Sequence, residues 1–326
     1  MEAHHAEHVE PYTYILLNEE RQEIRLLTLH PGTFSSEIRL SLDITPLTKV
    51  KTPLFEAVSY TWGSAENPVN IFIGDSGRSQ LAVTQNLAEA LPRLRYQDRP
   101  RVLWIDAVCV DQKNLEERSQ QVNRMADIFS KASKVLVWLG PAKYDSSLAL
   151  ELFQEIASYV YVDKRTEKLV AISDHEDWAD KYYGLPFQED ELKAILHLFR
   201  RPWFSRLWIW QEVHLSSNDP VLICGNLEMS WSAFRTAAIC LYQKPQDKFD
   251  GLLEYFDLHE VVYSLCIGMP GASVEELLYR TKRCQCTDPR DRIYAILSLL
   301  IIALQYLLRR ITQKASMRHT KMQQFR

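Results

Sequence analysis

Residues 101–140 read RVLWIDAVCVDQKNLEERSQQVNRMADIFSKASKVLVWLG, and the fold class turns on them. Val102 to Ile105 and Val135 to Leu139 are short apolar runs of residues that suit a pleated surface. Between them Val122, Met125, Ala126 and Phe129 recur at three- and four-residue spacing, whereas Glu116, Glu117, Arg118, Gln120 and Lys131 fall elsewhere on the helix. Strand, loop, helix, strand is a βαβ unit. It predicts two parallel, neighbouring strands in a sheet covered on both faces, joined by a right-handed crossover. Ligands of such sheets bind at the carboxyl ends of the strands, where Asp106, Cys109, Asp111 and Gln112 follow here.

On the amino-terminal side, residues 12–17, 24–30 and 38–44 are β-rich runs between polar or Pro-Gly breaks, which predicts a strand-rich edge. Phe55 to Thr61 is a further strand that ends at Trp62-Gly63, where glycine permits a sharp turn. Residues 69–73 and 81–83 form a hairpin pattern. Thr84 then caps a helix to about Leu94, with Leu87, Leu91 and Leu94 on one face. On the carboxyl side the pattern predicts helices over 146–160, 189–200, 204–215, 231–242, 250–266 and 274–283, and a strand over 221–224. Residues 161–190 are polar and read as an inserted loop region placed as a lid over the site. The fold class expected is α/β: a mainly parallel central sheet flanked by helices, a strand-rich N-terminal part and helical insertions.

Asp288-Pro289 opens a last helix that enters an apolar run from Ile293 to Leu308, broken only by Ser298 and Gln305. Its 16 residues fall short of the roughly 20 that a membrane helix needs, so a buried or partner-facing helix is expected, with a poorly ordered tail after about 309. Membrane contact through the tail is the less favoured alternative.

The 326 residues carry 46% hydrophobic and 25% charged side chains, a globular composition. Net charge is −4, yet six of the basic residues (Arg309, Arg310, Lys314, Arg318, Lys321, Arg326) lie in the last 18 positions. The remaining 32 basic residues face 42 acids, a body of about −10 that makes a poor nucleic-acid binder. Six cysteines sit mostly in apolar segments without paired metal spacing, which suits reduced core thiols in a cytoplasmic protein. No metal site and no cofactor are expected. P-loop, GxGxxG, HExxH and GxSxG signatures are absent.

Four pieces stand in fixed order: FEAVSYTWG at 55–63, LWIDAVCVDQKNLEERSQQVNRMADIFSKASKVLVWLG at 103–140, RPWFSRLWIWQEV at 201–213 and CTDPRDRIYAILSLL at 286–300. Together they resemble the fungal heterokaryon-incompatibility (HET) domain over roughly residues 50–300. The resemblance implies a strand-rich extension at 1–50, a HET domain at 51–300 and an apolar, then basic, tail at 301–326. Members of that family usually continue into a long further region. It also implies a role in non-self recognition between fused fungal cells, as a trigger of cell death, with other incompatibility or signalling proteins as partners and with self-association. The block order is also similar to that of Toll/interleukin receptor (TIR) domains, which implies a TIR-like core. In catalytic members of that family a glutamate four residues after a tryptophan serves NAD cleavage at the nicotinamide–ribose bond. The matching pair here is Trp208 and Glu212, which makes NAD a candidate substrate.

Glycosidic cleavage passes through an oxocarbenium-like state that a carboxylate stabilises, and nicotinamide leaves as a neutral molecule without a proton donor. Glu212 is therefore the candidate catalytic residue. Its plain alternative is a structural ion pair with Arg206. Asp106 is a candidate to orient the ribose, or else caps a loop; with Asp111 it lacks the third acid that a magnesium site wants. Tyr60, Trp62 and Gly63 either wall a pocket or merely terminate a strand. Arg206 and Trp208 complete the set, as an anion partner and a stacking surface. Residues 288–292 read as a helix-capping cluster.

Overall fold

The computed structural model describes residues 10–48, 52–74, 79–163, 166–245, 253–269, 272–286 and 288–300. In chain order the strands are β1 (Glu10–Pro11), β2 (Glu23–Leu29), β3 (Arg39–Pro46), β4 (Glu56–Tyr60), β5 (Val69–Ile73), β6 (Ser79–Val83), β7 (Arg101–Trp104), β8 (Lys134–Gly140), β9 (Val160–Val162), β10 (Leu169–Ala171), β11 (Val221–Cys224) and β12 (Leu227–Ser230). The described residues fall into two compact units, one within 10–150, 201–203 and 216–232 and the other within 151–200, 204–215 and 233–300.

The first unit holds a ten-stranded mixed sheet in the order β1-β6-β5-β3-β2-β7-β4-β8-β11-β12. Its centre, β7-β4-β8-β11, is parallel throughout. The expected α/β class is present. One detail differs: β7 and β8 are parallel but not neighbours, because β4 lies between them. The reason is burial, since Ala57, Val58, Ser59 and Tyr60 are all shielded from solvent and so claim the middle of the sheet. The chain from β7 to β8 must then cross over β4. That crossover is α3 (Leu115–Lys131), whose first turn is capped by the Asn114 side chain accepting from the Glu116 and Glu117 amides. Helix α1 (Gln85–Leu94) buries Leu87, Leu91 and Leu94 as its spacing predicts, although the Thr84 side chain makes no capping bond.

Residues 12–17 are not a strand. Only Glu10–Pro11 pair with β6, and the following segment is tied down by side chains: the Tyr14 hydroxyl donates to the Val108 carbonyl, and the Ile15 carbonyl accepts from Arg25. Arg25 and Glu117 are both buried and form a two-pronged ion pair at 2.5 and 2.9 Å. Glu117 therefore does not lie on the solvent face of α3 that its spacing suggested. Glu117 also accepts the Asp111 amide at 2.8 Å, and Arg25 donates to the Cys109 carbonyl, so this pair holds the loop that follows β7.

The second unit contains most of α4 (Ser146–Tyr159), then α5 (Glu176–Ala179), α6 (Glu189–Phe199), α7 (Ile209–His214), most of α8 (Trp231–Gln243), α9 (Leu253–Cys266), α10 (Val274–Thr281) and a last helix, α11, over 291–300. Phe153 and Phe204 each stack on Phe234, with centroids 4.9 and 5.5 Å away. The polar insertion at 161–190 is not bare loop: β9 and β10 pair antiparallel, and Lys244 donates to the carbonyls of Asp177, Trp178 and Asp180 around α5. The aromatic helix expected over 204–215 is confined to α7. Upstream, Gln285 takes over the backbone bonding, donating to the Ser205 carbonyl and accepting the Leu207 amide, so those groups are spent on a bridge instead of a helical ladder. Asp288 accepts the Arg290 amide at 2.9 Å in the turn that leads into the final helix. The expected helix at 301–308 and the expected disorder after 309 lie outside the described residues.

Candidate functional site

The candidate residues gather in two places. In the first unit they lie where the central parallel strands end. β4 ends at the buried Tyr60 and continues into Trp62, 39% exposed, and Gly63, whose φ of +77° is the left-handed region. The Trp62 indole N–H donates to an Asp106 carboxylate oxygen at 2.8 Å. Asp106 opens α2 (Asp106–Cys109), a single turn beyond β7; its other oxygen accepts the Ala107 amide, and its carbonyl accepts the Gln112 side chain. An aromatic edge and a half-buried carboxylate thus meet at the strand ends. The nearby Cys109 thiol is buried, which pushes its pKa up to about 12 and removes it as a nucleophile at neutral pH.

Three residues outside the candidate list build this edge. Asn86, in the first turn of α1, donates to the Thr61 carbonyl and accepts the Trp138 indole N–H at 3.2 Å, joining the ends of β4 and β8. The Trp203 indole donates to the buried Ser59 hydroxyl at 2.7 Å. Arg201 donates to the Pro141 carbonyl at 2.8 Å, over the end of β8.

In the second unit, Arg206 is bracketed by the Gln285 bridge and directs its two terminal nitrogens at the two oxygens of Glu212, each 3.4 Å away. Glu212 is 2% exposed, in a helix whose residues 209–213 are all buried. Trp208 donates to Asp291 at 3.2 Å, and its carbonyl accepts the Glu212 amide. The ion pair set out as the plain alternative for Glu212 is present. No group of three or more His, Cys, Asp or Glu side chains suited to a metal ion occurs among the described residues.

Residues 55–212 match the family described as "Heterokaryon incompatibility protein (HET)". Over these residues the chain carries a HET domain. The chain is 27% identical to "Heterokaryon incompatibility protein 6, OR allele" of Neurospora crassa, over 88% of this chain and 49% of that protein. It is also 27% identical to "Vegetative incompatibility protein HET-E-1" of Podospora anserina, over 34% of this chain and 8% of that protein. The chain thus spans about half the length of the first of these relatives. No solved structure matches it.

The HET match runs from Phe55 in front of β4 to Glu212 itself, so all seven candidate residues fall inside it. Asn86, Arg201 and Trp203 fall inside it as well. The signal for Arg201 and Trp203 was their place at the head of the RPWFSRLWIWQEV block; nothing in the sequence singled out Asn86. Gly140 shows how tightly the edge of this HET domain is built. Its φ is +106°, and an added Cβ would lie 3.1 Å from an Arg201 nitrogen. Gly140→Ala is expected to cost about 1–3 kcal/mol of stability, read as a lowered urea midpoint at unchanged slope. An unchanged midpoint would show that the β8 end tolerates a side chain.

Proposed function

We propose that this HET-domain protein is a cytoplasmic trigger of cell death in fungal non-self recognition, and that it acts by hydrolysing NAD at the nicotinamide–ribose bond. The observation that carries the reading is a carboxylate, Glu212, held 2% exposed on an aromatic helix within the HET match. Shielded from water, its charge interacts more strongly with a developing oxocarbenium ion than a surface carboxylate does. Water adds to the ribose carbon, nicotinamide leaves with the bonding electron pair as a neutral molecule, and one proton passes to solvent beside ADP-ribose. Within the second unit, Arg206 and Trp208 beside Glu212 carry substrate-binding roles in this proposal; Tyr60, Trp62, Gly63 and Asp106 at the strand edge of the first unit are candidates of their own. The TIR-like mechanism belongs to it too. No helix among the described residues is long and apolar enough to cross a membrane.

A second reading has a specific observation behind it. Arg206 already neutralises Glu212 with two contacts, as in a structural ion pair, which favours a non-catalytic module that signals through its surfaces to other incompatibility proteins. Nicotinamide release from NAD by the purified protein, alone and artificially clustered, separates the two. Under the first reading the parent releases nicotinamide and Glu212→Gln lowers the rate about 10²–10³-fold. Under the second, the parent releases no nicotinamide; in either case Glu212→Gln loses a few kcal/mol because Arg206 loses its counter-charge.

A further inference from the structure

In the first unit, the end of α1, the segment 32–37 and the turn between β11 and β12 border a cavity of about 240 Å³ that none of the candidate residues lines. Phe34, Arg93, Arg95, Gln97, Asn226 and Glu228 supply its side chains of interest. Two guanidiniums stand there without a counter-charge. Arg95 is 7% exposed and spends its terminal nitrogens on the Thr33, Ser36 and Glu37 carbonyls, which satisfies donors but leaves the charge. Neighbouring acids serve other cations: Glu37 pairs with Arg39, Glu56 with Arg101 and Asp98 with Arg99. Among the described residues no carboxylate oxygen lies within 4.0 Å of the Arg93 or Arg95 guanidinium. A buried cation that no acid neutralises carries a cost, and a bound anion would lift it.

We propose that this cavity binds a phosphate group, free or as the monoester of a small metabolite. The donors decide the class. Arg93 is held in place, its guanidinium carbon 4.1 Å from the Phe34 ring centre and its Nη1 donating to Asn226 Oδ1. That leaves Nε and Nη2, the parallel prongs with which arginine grips an oxyanion. With Oδ1 so engaged, Asn226 keeps its Nδ2 amide as a donor, and the Gln97 amide adds another. Donors on three side chains of one cavity suit the three terminal oxygens of a phosphate ester better than the planar pair of a carboxylate. The turn that presents Asn226 is fixed: Gly225 has a φ of +58°, and an added Cβ would stand 2.7 Å from Ala142. The volume lies below the roughly 300–1,000 Å³ of sites for larger ligands, which keeps the rest of the molecule small. Glu228 opposes an anion, so its removal has a predicted sign. The site shares no residue with the proposed NAD chemistry and stands whether or not NAD is cleaved.

Equilibrium dialysis of the full chain against radiolabelled inorganic phosphate, and against glycerol 3-phosphate, tests it at low ionic strength. The expected result is saturable uptake of one phosphate group per chain. Tighter uptake of glycerol 3-phosphate identifies an ester as the ligand, and tighter uptake of inorganic phosphate identifies the free ion. Arg93→Met should weaken binding about 10–100-fold, the loss of a charge-assisted fork. Glu228→Gln should tighten it several-fold by removing the opposing charge. Both side chains are exposed, so the fold is kept, and a general loss of structure would not move affinity in opposite directions. No saturable uptake of either probe up to about 10 mM overturns the proposal. So does binding that Arg93→Met leaves unchanged, or that Glu228→Gln weakens.

Discussion

Lowering the pH from 7 to 5 is expected to cost the second unit about 4 kcal/mol of stability, about 2 from each of two histidines, His259 buried and His214 half-buried. Burial lowers the pKa of His214 to about 4; the hydrogen bond at the Leu265 backbone opposes this, and Arg235 and Arg280 add to it. Burial likewise lowers His259 to about 4, against its hydrogen bond with the Ala238 carbonyl. Both values lie below that of an unfolded histidine, near 6.5, so between 4 and 6.5 the unfolded chain binds more protons. Stability is therefore complete above about 6.5 and is lost as the pH falls towards 4. Urea midpoints at pH 7, 6 and 5 measure the effect, and His214→Asn/His259→Asn should flatten the profile. Equal midpoints for the parent at pH 7 and 5 would show that neither ring is held neutral by the fold.

Arg25→Met is expected to destabilise the first unit by about 3–5 kcal/mol, since it leaves the Glu117 carboxylate buried without its partner. It also removes the donors to the Cys109 and Ile15 carbonyls and the cation over the Tyr14 ring. Arg25→Met/Glu117→Leu removes the stranded charge and should recover part of the loss. Recovery stays partial because Asp111 then lacks the acceptor for its amide. A full double-mutant cycle in urea reads the coupling. A single-substitution cost below about 1 kcal/mol would contradict the pair's role in holding the loop after β7.

Local chemistry alone determined a good deal about this protein. The apolar runs of β4, β7, β8 and β11, the three-and-four spacing in α3 and the leucines of α1 identify each element, because burial on both faces or on one stripe leaves its period in the chain. The order of four motif blocks was enough to identify the HET domain. The strand-end position of Trp62 and Asp106 was legible too, since a parallel strand leads its ligand groups to its carboxyl end.

Long-range competition was not legible. That β4, and not β8, lies beside β7 depends on which strand gains most from the middle of the sheet, a comparison no single segment records. Glu117 looks like a solvent-facing residue by spacing, and only the arrival of Arg25 from 92 positions away makes its burial tolerable. The aromatic stretch at 204–215 has helical spacing throughout, yet Gln285 captures the backbone at Ser205 and Leu207 and shortens the helix to α7. Whether Glu212 stands bare or paired was likewise a question of three dimensions. Its ion pair with Arg206 exists because that bridge fixes where the guanidinium stands, and a buried carboxylate takes the nearest cation that the tertiary structure holds in place.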